Sequence, residues 1–182
     1  MDRLIVGAVL LAALFGACTR GEPERGAGIG RPVASGAVRA LRASADGSTL
    51  AFLDGCAEVK APFLPPRTAS CTLRVVPSGG GDAAKVAEAV TTLPHGFGFG
   101  REGATLAALA DYDYATGSGT LVRWSGGAAR EVARDVTFHG FVPGALAAVS
   151  GGRLVLVRDG GAPEVVDGAD GVSTFEFDPR DG

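Results

Sequence analysis

Three cysteines and two histidines carry most of the reactive chemistry that this 182-residue sequence offers. A cysteine thiol can be acylated, can form a disulfide, or can bind zinc as a thiolate. An imidazole can bind a metal ion or carry a proton near neutral pH. The position of each of these side chains in the sequence indicates which chemistry to expect.

Cys18 directly follows an apolar run that begins at Leu4. The run is shorter than the roughly 20 residues of a membrane-spanning helix and is typical of the helical core of a signal peptide. Phe15 is too bulky for an ordinary cleavage site before Cys18, whereas LFGAC (14–18) resembles a bacterial lipobox. The resemblance implies that residues 1–17 are a lipoprotein signal peptide and that Cys18 receives a diacylglycerol. The alternative is a buried core segment with an incidental cysteine.

Residues 18–36 are predicted to be the lipidated cysteine and a disordered tether. The segment TRGEPERGAGIGRPVASG (19–36) is polar and rich in Gly, Pro and charge, so it cannot bury a core. A random coil of this length spans about 25 Å. Thr19, rather than Asp, follows the cysteine, which implies sorting to the outer membrane. The lipid bilayer is therefore the first expected partner, although the side of the membrane stays open.

Cys56 and Cys71 remain as a pair if Cys18 carries lipid, and an exported domain lies in an oxidising compartment. We predict a disulfide between them, which would close a loop of about 15 residues and contribute about 3 kcal/mol. Two unpaired buried thiols are the alternative. A zinc site is disfavoured, because no further Cys and no nearby His completes a ligand set.

The remaining candidate ligands are His95 and His139, at equivalent places in two repeats, and Asp111 and Asp113 in DYDY (111–114). Two imidazoles are too few for a complete metal site, and calcium usually takes six to eight oxygen ligands. We therefore expect structural histidines and a solvated turn with exposed tyrosines, and we assign neither a metal nor a cofactor. Whether either pair binds a metal stays open.

A repeat organises the chain after the tether. GGGDAAKVAEAV (79–90) is similar to SGGAAREVARDV (125–136), and HGF follows both segments. Leucine-led runs precede them, and Gly turns join the runs, which predicts short strands. Residues 82–93 also carry a helix-like apolar spacing, but we predict a strand. Consecutive apolar residues, as in LVLV (154–157), indicate strands that are buried on both faces, and Trp124 is expected in the core.

These runs resemble TolB-type and WD-like β-propeller repeats, best in SADGSTLAFL (44–53), RLVLVRDGGAPEVV (153–166) and FEFDPRDG (175–182). The resemblance implies an all-β fold over residues 37–182, an incomplete propeller of about three four-stranded blades plus one strand. We expect the propeller to be truncated at its carboxyl end, with self-association through the open blade edge.

The predicted function is a non-enzymatic envelope scaffold that binds a protein, peptide or glycan on one propeller face. No G-x-S-x-G elbow occurs in the sequence. A net charge of −3, without a basic stripe, argues against nucleic-acid binding. The alternative is the propeller portion of a longer exported enzyme, similar to prolyl oligopeptidases, whose catalytic domain would follow Gly182.

Overall fold

A computed structural model describes residues 37–158 and 161–176. In these residues the secondary structure consists of strands and turns, without a helix. The strands are β1 (Arg39–Ala43), β2 (Thr49–Glu58), β3 (Ala69–Pro77), β4 (Ala84–Thr91), β5 (Phe97–Phe99), β6 (Leu106–Asp113), β7 (Ser118–Ser125), β8 (Ala128–Val142), β9 (Ala145–Ser150), β10 (Arg153–Arg158) and β11 (Glu164–Asp170). The all-β prediction is confirmed. The predicted signal peptide, Cys18, the tether and the end of the last predicted strand lie outside the described residues.

The strands form two antiparallel sheets. One sheet has the order β1-β2-β3-β4, and the other has the order β11-β10-β9-β8-β7-β6-β5. Neighbours in each sheet are consecutive in the chain, so both sheets are meanders. The Leu/Val-led runs and Gly turns of the repeats coincide with these strands and turns. The segment with the helix-like spacing forms β4, which confirms the prediction of a strand there.

The long strand β8 changes its partner near Val136. Its first part pairs with β7, from Ala128 opposite Ser125 to Val136 opposite Gly119. Its second part pairs with β9, ending with Val142 opposite Ala145. The seven-stranded sheet is therefore composed of two four-stranded meanders that share β8.

A turn at Asp46-Gly47, within the segment SADGSTLAFL (44–53), connects β1 to β2. One carboxylate oxygen of Asp46 accepts hydrogen bonds from the Ser44 hydroxyl (2.6 Å), the Ser48 amide (3.0 Å) and the Ser48 hydroxyl (2.8 Å). These bonds favour the ionised carboxylate and lower the pKa of Asp46. Gly47 has φ of 68°, a left-handed conformation that glycine adopts without steric cost.

Two apolar cores lie on opposite faces of β6. Leu106, Ala108 and Ala110 belong to a core shared with β2, β3 and β4. Ala107 and Leu109 point the other way, because successive strand residues alternate, and join a core with β7 to β10. The prediction of strands buried on both faces is thus confirmed for β6.

The same prediction is only partly right for β10. Val155 and Val157 are buried, but Leu154 and Leu156 on the opposite face are half-buried. The second core covers only one face of this strand. Trp124 is partly buried against the first core, at its margin rather than inside it.

The outer strand β1 has an irregular, exposed edge. Every residue of β1 is exposed, including Leu41 at 62%, and its pairing with β2 is irregular between Arg39 and Leu41. Such a bulge, together with charged side chains, reduces pairing with another chain.

In the described ranges, no helix is long and apolar enough to cross a membrane.

Candidate functional site

Aromatic side chains from separate parts of the chain meet at one end of the sheets. We call the following set the aromatic cluster: His95 in the β4–β5 connection, Tyr112 at the end of β6, Tyr114 in the next turn, Phe138 in β8, and Phe175 after β11. Tyr112 is buried, whereas the other four rings are half-buried. The cluster therefore presents partly accessible ring surface.

The rings of the cluster form a continuous chain of contacts. His95 lies with its ring centroid 5.7 Å from that of Tyr112 and 6.5 Å from that of Phe138. Tyr112 and Tyr114 meet edge to face at 5.0 Å, and Phe138 and Phe175 do so at 5.1 Å. Edge-to-face contacts at these separations are favourable beyond the burial of area. The packing fixes the orientation of each ring without a ligand.

The HGF motif explains how the chain places His95. The amide of Gly96 donates to the carbonyl of Leu93 at 2.8 Å, and its carbonyl accepts from the amide of Leu109 at 2.9 Å. A side chain at Gly96 would overlap the carbonyl oxygen of Thr91. A glycine is needed there because the backbone turns back on itself, and this turn aims His95 at Tyr112.

The second HGF motif buries His139 beneath the cluster. Its side chain is 8% exposed, and neither ring nitrogen has a hydrogen bond of normal geometry. Burial lowers the pKa of His139 to about 4, and the charges of His95 and Arg42 add to this decrease. The backbone of His95 has the opposite, smaller effect on this pKa. His139 is therefore neutral at physiological pH.

Burial also sets the charge state of the other polar rings. It lowers the pKa of His95 and raises the pKa of Tyr112. The neighbouring Tyr114 raises the pKa of Tyr112 further. The His95 Nε2 atom and the Tyr112 hydroxyl are 3.3 Å apart and share a hydrogen bond whose direction depends on the imidazole tautomer. His95 and Tyr112 are thus uncharged at neutral pH.

Arg42 supplies a positive charge beside His95. Its guanidinium lies 5.0 Å from the centroid of Phe97, a cation–π contact between β1 and β5. It also donates to the carbonyl of Pro94, next to His95, at 3.5 Å. Sequence reasoning did not single out Arg42, because no motif marks a partner 55 residues away along the chain.

The prediction for DYDY is half right. Asp111 and Asp113 are exposed, but they lie at the end of β6 rather than in the predicted loop. Asp113 accepts hydrogen bonds from the Ala115 amide (2.8 Å) and the Thr116 hydroxyl (3.1 Å) in the turn that follows. The expectation of exposed tyrosines is wrong, because Tyr112 and Tyr114 pack into the cluster. Residues 37–158 and 161–176 contain no group of three His, Cys, Asp or Glu side chains that could hold a metal ion.

A disulfide braces the hairpin beside the cluster. The structure places Cys56 and Cys71 at bonding distance, with their Cα atoms 4.1 Å apart, across a register shift between β2 and β3. The carbonyl of Ala69, two residues from Cys71, accepts from the Tyr114 hydroxyl at 2.8 Å and from the Thr92 amide at 3.0 Å. The braced hairpin and the aromatic cluster therefore share one end of the domain.

The repeat signalled His95 and His139, but Phe138 and Phe175 were not predicted as parts of one site. Their positions in the repeat are the sequence feature that could have indicated them: Phe138 precedes the second HGF motif, and Phe175 ends the equivalent STF.

Comparison of the chain with protein-family models, with curated proteins and with solved structures gives no match.

Proposed function

We propose that this chain is an envelope lipoprotein, anchored in the outer membrane through Cys18. Its β-domain is an incomplete propeller that binds an uncharged surface of a peptide or glycan at the aromatic cluster, without catalysing a reaction. The lipobox-like segment LFGAC (14–18) supports the anchor, and the tether after it supports a domain held at the membrane.

Three features of the sheets support the propeller. The described strands group into three meanders of four, β1–β4, β5–β8 and β8–β11. Strand β6 lies between two apolar cores, as expected of a blade packed between neighbours. Strand β8 ends one meander and begins the next, as the outer strand of a blade leads to the inner strand of the following blade.

The observation that carries the binding function is the aromatic cluster itself. Five rings from four separate segments converge at one end, and four of them are half-buried. Ligand sites typically combine aromatic surface with a few polar groups that set orientation. Here the Tyr112 hydroxyl, the His95 imidazole and the Arg42 guanidinium are those polar groups.

The charge state of the cluster limits the chemical class of ligand that it can bind. Because His95, His139 and Tyr112 are neutral at physiological pH, stacking and neutral hydrogen bonds dominate over ion pairing. Sugar rings and apolar or aromatic peptide side chains offer matching surfaces.

Site-specific photo-crosslinking in the producing cells tests the proposal. A benzophenone side chain at Phe138 should give a discrete adduct, and the same group at Val165, which is 51% exposed and outside the cluster, should not. Digestion of the adduct with protease or glycosidase distinguishes a peptide from a glycan. Equal adducts at both positions, or none at Phe138, would contradict the proposal.

A further inference from the structure

The connection between β2 and β3 presents a single aromatic side chain to solvent. Phe63 is 70% exposed, at the tip of the segment VKAPFLPPRT (59–68), which we call the Phe63 loop. Pro62, Pro65 and Pro66 around it are exposed as well. Phe63 and the three prolines form a contiguous exposed apolar surface, and such patches mark contact sites more often than single exposed side chains do.

The Phe63 loop is held in one conformation by its own hydrogen bonds. The Val59 amide donates to the Thr68 carbonyl at 2.9 Å, and the Thr68 hydroxyl donates to the Pro65 carbonyl at 2.7 Å. The Leu64 amide donates to the Ala61 carbonyl at 3.1 Å. The Cys56–Cys71 disulfide closes the base. Phe63 is thus presented by a preformed loop, which lowers the entropic cost of binding.

Positive charge surrounds the loop although the chain as a whole is acidic. Lys60 and Arg67 are exposed on either side of Phe63, and the Arg39 guanidinium donates to the Arg67 carbonyl at 3.0 Å. Glu58 is the acidic residue at the base of the loop. Basic side chains around an apolar tip match the interface of a bilayer that contains anionic lipids.

The start of the domain lies beside the same loop. Arg39 is the first residue of β1, and its contact with Arg67 places the amino-terminal end of β1 at the loop. In the sequence, the predicted tether 19–36 comes immediately before this point. A lipid at Cys18 therefore holds the Phe63 loop, rather than the opposite end of the sheets, near the bilayer.

We propose that the Phe63 loop is a second membrane contact. Phe63 inserts among the lipid head groups and upper acyl chains, while Lys60 and Arg67 lie against anionic head groups. This inference rests on the proposed lipid anchor. It also orients the domain, because the aromatic cluster lies at the same end through the contact of Tyr114 with Ala69.

The test uses the full lipidated protein, purified and reconstituted into vesicles of phosphatidylethanolamine and phosphatidylglycerol. Phe63→Trp is compared with Val165→Trp, which places tryptophan at an exposed apolar position far from the loop in sequence. Wild-type emission, from Trp124, is subtracted. We expect a blue shift for the tryptophan at 63 and quenching by lipids with brominated acyl chains, neither of which the tryptophan at 165 should show. Adding Lys60→Glu and Arg67→Glu should reduce the quenching.

The outcomes separate the loop contact from the anchor. If the protein floats with the vesicles but the tryptophan at 63 is not quenched, the proposed loop contact is wrong and the proposed anchor stands. Equal quenching at 63 and 165 also overturns it. Protein that does not float with the vesicles overturns both proposals. If position 63 is shielded from aqueous quencher in native membranes but not in pure lipid vesicles, the loop contacts a protein partner and the proposed lipid contact is wrong.

Discussion

Gly96 packs so closely against Thr91 that a Cβ atom on Gly96 would lie 3.0 Å from the carbonyl carbon of Thr91 and overlap its oxygen. The equivalent glycine of the next repeat, Gly140, is different: a Cβ there would lie 3.5 Å from the ring of Phe175, an ordinary contact. The two HGF motifs are alike in sequence, yet only the first requires glycine on steric grounds.

Gly96→Ala should therefore destabilise the domain by about 1–3 kcal/mol, as overpacking does. Gly140→Ala is the matched control and should change stability by less than about 0.5 kcal/mol, as most tolerated substitutions do. Urea unfolding of both variants and the wild type measures the difference. Equal losses in the two variants would show that the turn around Gly96 is not as tight as described.

The disulfide between Cys56 and Cys71 should be present in the mature protein. Its removal by the double change Cys56→Ala and Cys71→Ala should lower the unfolding free energy by about 3 kcal/mol, because the unfolded chain gains entropy. Intact mass after alkylation without reductant checks the bond directly. Two added alkyl groups would mean free thiols and would refute the assignment.

His139 should make the domain sensitive to acid. Its pKa is about 4 in the folded state and about 6.5 in the unfolded chain. Between these values the unfolded state binds more protons, so the unfolding free energy should fall as the pH decreases from 6.5 to 4, by about 3 kcal/mol from this residue.

His139→Leu should remove that part of the pH dependence. At pH 7 the variant should be as stable as the wild type or more stable, because the two buried nitrogens without normal hydrogen bonds are gone. His95→Leu, at a half-buried position, should reduce the pH dependence of the unfolding free energy less than His139→Leu does. Urea unfolding at pH 7 and pH 4.5 measures both effects, and identical pH profiles for wild type and His139→Leu would argue against a neutral, buried His139.

The sequence predicted the strands well because the signal is local. Gly-rich turns around Asp46-Gly47 and runs such as TLAFL (49–53) predict strands without knowledge of their partners, and the repeat predicts their order. The Cys56–Cys71 pair followed from the cysteine count and from the expected compartment, not from geometry.

The errors all concern contacts between distant residues. DYDY looks like a solvated turn from its carboxylates, but the Tyr114 hydroxyl bonds to Ala69 in another sheet, and no local pattern indicates that bond. Leu154 and Leu156 look fully buried from their apolar neighbours, yet burial depends on what packs against the sheet. The aromatic cluster could not be assembled for the same reason, although the repeat drew attention to His95 within it and to His139 beneath it.

The central claim is that the domain is held at a membrane by lipid on Cys18, and metabolic labelling with a palmitate analogue tests it most directly. The wild-type chain and Cys56→Ser, a control that keeps Cys18, should both be labelled in cells. Cys18→Ser should be unlabelled, since it lacks the thiol that the lipobox-like segment presents. Equal labelling of Cys18→Ser and the wild type, or absence of label from both, would contradict the account.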